Sequence, residues 1–150
     1  MPTLSKHTQA NLIPCLRYRD VPKAIDWLRV AFGFEPQQVY SDSEAGILHA
    51  QLTFGSNGML MLGPMSDSAA GRLMTHPDQA GGLSTQSIYV IVSSADALYT
   101  QAKAAGAEIV VELKNEDYGG RGFSCRDLEG HLWSFGTYDP WVEPNRTEEP

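Results

Sequence analysis

With 150 residues, 42% of them hydrophobic and 19% charged, the chain has the make-up of one globular domain large enough to bury a core. Its net charge of -7 argues against a nucleic-acid surface, which needs clustered Lys and Arg to replace phosphate counterions. The apolar runs are too short to span a bilayer, and the opening MPTLSKHTQANLIP lacks the basic-then-apolar build of a signal peptide, so a cytoplasmic protein with no membrane partner is expected. Cys15 and Cys125 stand singly in apolar runs and read as reduced core thiols.

The first ten residues are polar and unpatterned. From Asn11 to Arg19 apolar and polar residues alternate, which predicts a strand ended by Asp20. Asp20 also suits a helix N-cap, Pro22 fits a first turn, and Ala24, Ile25, Leu28, Ala31 and Phe32 recur at helical spacing up to a closing Gly33. An extended segment near Gln37 to Ser41, a turn at Glu44 to Gly46, a strand from Ile47 to Phe54 and another from Met59 to Leu62 follow. Residues 63–84 are rich in Gly, Ser, Ala and Met and show no period, so they read as a linker.

After the linker the pattern repeats. Ser87 to Val92 reads as a strand, Ser94 caps a helix from Ala95 to Ala105, Gly106 stands where Gly33 stood, and Glu108 to Leu113 is again extended. Arg121 to Gly136 forms a hairpin whose turn is set by Asp127 and Gly130. Residues 139–150 make an acidic tail, with Trp141 read as a clamp on the tail or on a partner subunit. The expected fold is therefore α+β: a single domain of two βαβββ modules, about 11–62 and 85–138, pairing their sheets around a shared interior. Trp27, Trp133 and Phe135 fall on the bulky faces that pack between helix and sheet.

This tandem pattern, with Arg17-Tyr18-Arg19-Asp20 before the first helix, Ala31-Phe32-Gly33-Phe34 after it and Arg126-Asp127-Leu128-Glu129-Gly130-His131 near the end, resembles the vicinal oxygen chelate superfamily. That superfamily holds glyoxalase I, extradiol dioxygenases, fosfomycin-resistance enzymes and bleomycin-resistance proteins. The resemblance implies a cupped, incomplete β-barrel with the helices outside, commonly in a homodimer. It also implies metal-ligand positions at Ile13, Met61, Ser87 and Ser134. None of the four offers imidazole, carboxylate or thiolate, so neither a metal nor another cofactor is expected.

Strand parity turns His49, Gln51 and Thr53 to one face, where they either orient a ligand or meet solvent. Ser87, Tyr89 and Ile91 share the corresponding face of the second module, and Tyr89 suits either a ligand or a core position with its hydroxyl satisfied. Arg17 is expected inward beside Cys15, His131 belongs to the turn, and His7 and His76 lie in loops without visible partners. The resemblance sets Tyr118 and Arg121 at the cavity mouth, although a turn pairing Arg121 with Glu116 or Asp117 explains them equally well. The expected ligand set is His49, Gln51, Met59, Met61, Ser87, Tyr89, Tyr118, Arg121 and Ser134, with no catalytic residue assigned. The expected activity is metal-independent sequestration of a small, partly apolar molecule, the alternative being a glyoxalase- or dioxygenase-type enzyme.

Overall fold

The computed structural model describes residues 5–142, so most of the tail expected over 139–150 lies outside the described residues. Helix α1 (Val21–Phe32) starts where Asp20 accepts the Lys23 N–H, and it buries Val21, Ala24, Ile25, Leu28, Ala31 and Phe32 along one stripe. It ends at Gly33, whose φ of 87° is the left-handed value that turns the chain out of a helix. Helix α2 (Ala95–Ala104) repeats the design, with Ser94 accepting the Ala97 N–H.

Four strands accompany each helix. β1 (Cys15–Tyr18), β2 (Glu35–Asp42), β3 (Gly46–Phe54) and β4 (Gly58–Pro64) form a sheet in the order β1-β4-β3-β2. β5 (Ile88–Ile91), β6 (Glu108–Asn115), β7 (Arg121–Arg126) and β8 (Leu132–Gly136) form a second in the matching order β5-β8-β7-β6. In each sheet the first strand runs parallel to the last and the other pairs are antiparallel. The fold is α+β, and neither four-stranded sheet closes into a barrel. β1 is shorter than the 11–19 stretch read from the sequence. Pro14 has no N–H to extend the ladder, although its carbonyl still accepts the Met61 N–H.

One face of each sheet packs on the helices. Leu52, Leu60 and Leu62 of the first sheet join Phe123, Cys125, Trp133 and Phe135 of the second in one apolar core. Phe32 of α1 bridges the modules, its ring 5.2 Å from Trp133 and 4.7 Å from Phe135. Trp27 adds a hydrogen bond from Nε1 to the Ala105 carbonyl, 2.8 Å long. The interior shared by the two modules therefore lies on the helix side of the sheets, whereas the sequence had placed it between the opposite faces. Burying the apolar stripes of both helices and the bulky sheet faces in one cluster removes all of them from water together. Cys15 is exposed, not a core thiol, because it points away from the helices with Arg17, while Cys125 is buried.

The turn between β7 and β8 locks the second module onto the first. Buried Asp127 accepts the Tyr18 hydroxyl at 2.6 Å and Trp133 Nε1 at 3.0 Å on one oxygen, and the N–H groups of Glu129 and His131 on the other. Glu129 accepts the N–H groups of Arg19 and Asp20, and His76 from the linker pairs with the same carboxylate at 2.8 Å. His131 donates from Nε2 to the Arg17 carbonyl, 2.7 Å away. His76, only 3% exposed, thus has the partners that the sequence did not reveal.

Gly130 sits in this turn at φ 96°, and a Cβ there would come within 3.4 Å of Pro77. Gly130→Ala is expected to lower stability by about 1 kcal/mol or more. Urea denaturation with an unchanged midpoint would show that the turn tolerates a side chain.

Stability should also fall in alkali. Burial, reinforced by the neighbouring Asp127 charge, holds the Tyr18 hydroxyl well above its ordinary 10.0, and burial pushes the Cys125 thiol from 9.0 to about 12. The folded state keeps protons that the unfolded chain releases, so the stability these groups support is complete below about pH 9 and is lost as pH rises toward 12. The denaturation midpoint is expected to drop between about pH 9 and 11, less steeply in Cys125→Ala. Parallel pH profiles for the two proteins would refute the assignment to the thiol.

Candidate functional site

The face of each sheet turned away from the helices is open. On the first sheet, Met59 and Met61 alternate with buried Leu60 and Leu62, and the register sets Met61 beside Cys15 and Gln51, and Met59 beside Thr53. His49 Nε2 lies 3.1 Å from Gln51 Oε1, and the Gln51 amide donates to Gln37 at 2.8 Å, so a polar row crosses the sheet beside the thioethers. Gly63 leaves room for Arg17, since a Cβ there would come within 3.2 Å of the guanidinium. Arg17, expected inward, instead stands on this open face and donates to the Pro64 carbonyl at 3.3 Å, a backbone acceptor at the strand end.

The second sheet carries the more enclosed site. Ser134 is flanked by Tyr89 on β5 and Ser124 on β7, and the two serine hydroxyls are 2.7 Å apart. Above them is a cavity of about 130 Å³ walled by Tyr89, Tyr118, Tyr138, Glu116 and Arg121. Small residues shape its floor: Gly122 and Gly136 face each other across β7 and β8, Gly122 lets the two strands come close, and Gly136 leaves space for the Tyr89 ring. Arg121 is held in the wall by Asp96 at 3.1 Å and Asn115 at 3.4 Å, not by Glu116 or Asp117.

Two wider grooves adjoin this cavity. One of about 590 Å³ runs between the lead-in to β1 and β5, and Ile13, Ser87 and Tyr89 line it. The other, about 500 Å³, brings Met59 of the first module to Tyr89 and Ile91 of the second beneath Trp141, which is 87% exposed. Of the ligand set read from the sequence, Tyr89, Tyr118, Arg121 and Ser134 thus share one cavity, Ser87 meets Tyr89 in the second, and Met59 meets it in the third. His49, Gln51 and Met61 stand on the open face of the first sheet and line none of these three spaces.

The four positions that the resemblance assigns to metal ligands point away from the helices without meeting in one cavity. Ile13 and Ser87 share a groove, Ser134 lies in the tyrosine-walled cavity, and Met61 is in neither. An alkyl group, a thioether and two hydroxyls do not fit a divalent metal, and among the described residues no three His, Cys, Asp or Glu side chains gather for one. Sequence reasoning missed Glu116, Ser124 and Tyr138 as wall residues. Continuing the parity of Ser134 and Gly136 by one step reaches Tyr138, so that signal was present.

The family model described as the glyoxalase/bleomycin resistance protein/dioxygenase superfamily matches residues 6–135. TioX from Micromonospora sp. ML1 is 31% identical, with a TM-score of 0.65 over 89% of this chain and 99% of that one. TnmS3, an antibiotic binding protein from Streptomyces sp. CB03234, shares the fold at a TM-score of 0.63 over 90% of this chain and 98% of its own, with 16% identity. An uncharacterised Mycobacterium tuberculosis protein (strain ATCC 25618 / H37Rv), Rv0887c, is 28% identical over 97% of this chain and 84% of its own length. With a family model covering most of its length and two helix-backed sheets of matching strand order, the chain belongs to the glyoxalase/bleomycin resistance protein/dioxygenase superfamily.

Proposed function

We propose that the protein binds and sequesters a small, partly apolar molecule, without a metal, as a homodimer in the cytoplasm. The observation that carries this reading is the pair of open sheet faces. The first displays thioethers beside His49 and Gln51, the second tyrosine, serine and glycine, and each is backed by a packed core that holds it rigid. Methionines adapt to irregular apolar shapes, so Met59 and Met61 suit burial of a ligand, while His49 and Gln51 supply directional hydrogen bonds. The Tyr89 ring, common to all three cavities, is the anchor of the reading.

The dimer follows from the same faces. β2 is exposed along its whole length, and the groove that joins Met59 to Tyr89 lies open under a single exposed tryptophan. A second copy laid over these half-cups would enclose the ligand and bury the apolar surface that one chain leaves wet. TnmS3 is an antibiotic binding protein, and its shared fold agrees with a binding role for this scaffold.

A thermal-shift screen of small aromatic and apolar compounds tests the reading on untagged protein. A bound compound at one hundred times its Kd should raise Tm by on the order of 5–10 °C. Tyr89→Ala should abolish that shift, measured from the variant's own unliganded Tm. Stoichiometric zinc, nickel, manganese or iron in the purified protein would overturn the metal-free reading in favour of an enzyme of the glyoxalase or dioxygenase type. Light scattering at tens of micromolar should give twice the chain mass, and a monomer there would remove the dimer.

A further inference from the structure

Three tyrosines converge on the small cavity of the second sheet, and the backbone is cut away to let them. A Cβ at position 136 would lie 2.6 Å from the Tyr89 hydroxyl and 3.1 Å from its ring carbon Cε2, so only glycine lets that ring settle over β8. Tyr89 then donates its hydroxyl to the Tyr138 carbonyl at 2.7 Å. On the other wall, a Cβ at position 120 would lie 2.6 Å from the Tyr138 nitrogen, so Gly120 allows the turn carrying Tyr118 to close in. The Tyr118 and Tyr138 rings meet edge to face, with centroids 5.0 Å apart.

Charge at this cavity is negative. Glu116 is half-buried in its wall, and among the described residues no ion pair engages its carboxylate. The one cation in the wall, Arg121, is already taken by Asp96 and Asn115. Burial, more than the neighbouring Tyr118, Asp139, Tyr138 and Glu116, raises the Tyr89 hydroxyl above its ordinary 10.0. A neutral occupant would leave the Glu116 charge partly desolvated and unmatched, and an anion would be repelled. A cation meets both the carboxylate and the electron-rich ring faces. The volume of about 130 Å³ is that of a small ring or a trimethylammonium group.

We propose that this cavity binds a positively charged nitrogen, an alkylammonium or quaternary ammonium group, of the molecule that the protein takes up. The proposal rests on the binding reading above and adds the charge of the ligand to it. Tyr118 and Tyr138 supply ring faces, Glu116 supplies the counter-charge, and the apolar remainder of the ligand extends toward Met59 and Ile91 along the adjoining groove, which Tyr89 also lines.

The test uses choline and its neutral isostere 3,3-dimethyl-1-butanol, titrated into the full chain and followed through the tyrosine ring resonances. Choline should saturate, with the alcohol at least about tenfold weaker. Glu116→Gln should weaken choline roughly fivefold or more, Tyr118→Leu should do the same, and Tyr118→Phe should retain binding because the ring face is kept. Equal binding of the alcohol, no saturation by choline up to about 50 mM, or an unaltered Glu116→Gln variant would each overturn the proposal. The two readings fail separately. A neutral compound that stabilises the protein while choline does not bind removes the cation inference alone, and choline binding in a protein that no compound in the screen stabilises removes sequestration alone.

Discussion

Asp127 is buried, charged and fully engaged, and the relation between the two modules depends on it. Its two oxygens take four donors: the Tyr18 hydroxyl from the first module, the Trp133 indole from β8, and two backbone N–H groups of its own turn. An ionised carboxylate taken out of water is stable only when its lone pairs are met in this way, and removing one donor leaves a desolvation penalty of roughly 1–3 kcal/mol or more. Glu129 in the same turn binds the backbone leading into α1, and His76 ties the linker to it. Local turn chemistry thus becomes a tertiary constraint. It orients β8, and β8 carries Ser134 and Gly136 into the candidate site.

Each sheet divides its residues between two tasks. Leu52, Leu60 and Leu62 on β3 and β4, and Phe123, Cys125, Trp133 and Phe135 on β7 and β8, are buried against the helices. The alternate positions carry groups of a different kind: thioethers and amides on one sheet, serines, glycines and tyrosines on the other. The core can stay densely packed while the open faces vary, because a change on one face of a strand leaves the other almost untouched. The same scaffold can therefore keep its fold while exchanging metal ligands for ring faces and hydroxyls. Here the positions that the resemblance gives to metal ligands hold an alkyl group, a thioether and two hydroxyls, and a small cavity lies at the tyrosines beside Ser134.

The order of strands and helices, the caps at Asp20 and Ser94 and the turn at Asp127 and Gly130 were legible in the amino-acid sequence. Each depends on interactions within a few residues, or on a period of 2 or 3.6 that one strand or helix shows by itself. Parity correctly separated Trp133 and Phe135 from Ser134, and Tyr89 from Val90, for the same reason. What the sequence could not determine was which of the two sheet faces the modules share, because both interiors satisfy the same alternation. Only packing of Phe32 against Trp133 and Phe135 decides that. Nor could it show that His76 meets Glu129, that Arg121 turns to Asp96, or that Tyr118 and Tyr138 wall one cavity with Tyr89. Such contacts join residues tens of positions apart, and their distances are set by how rigid elements dock, a quantity that no local pattern along the chain encodes.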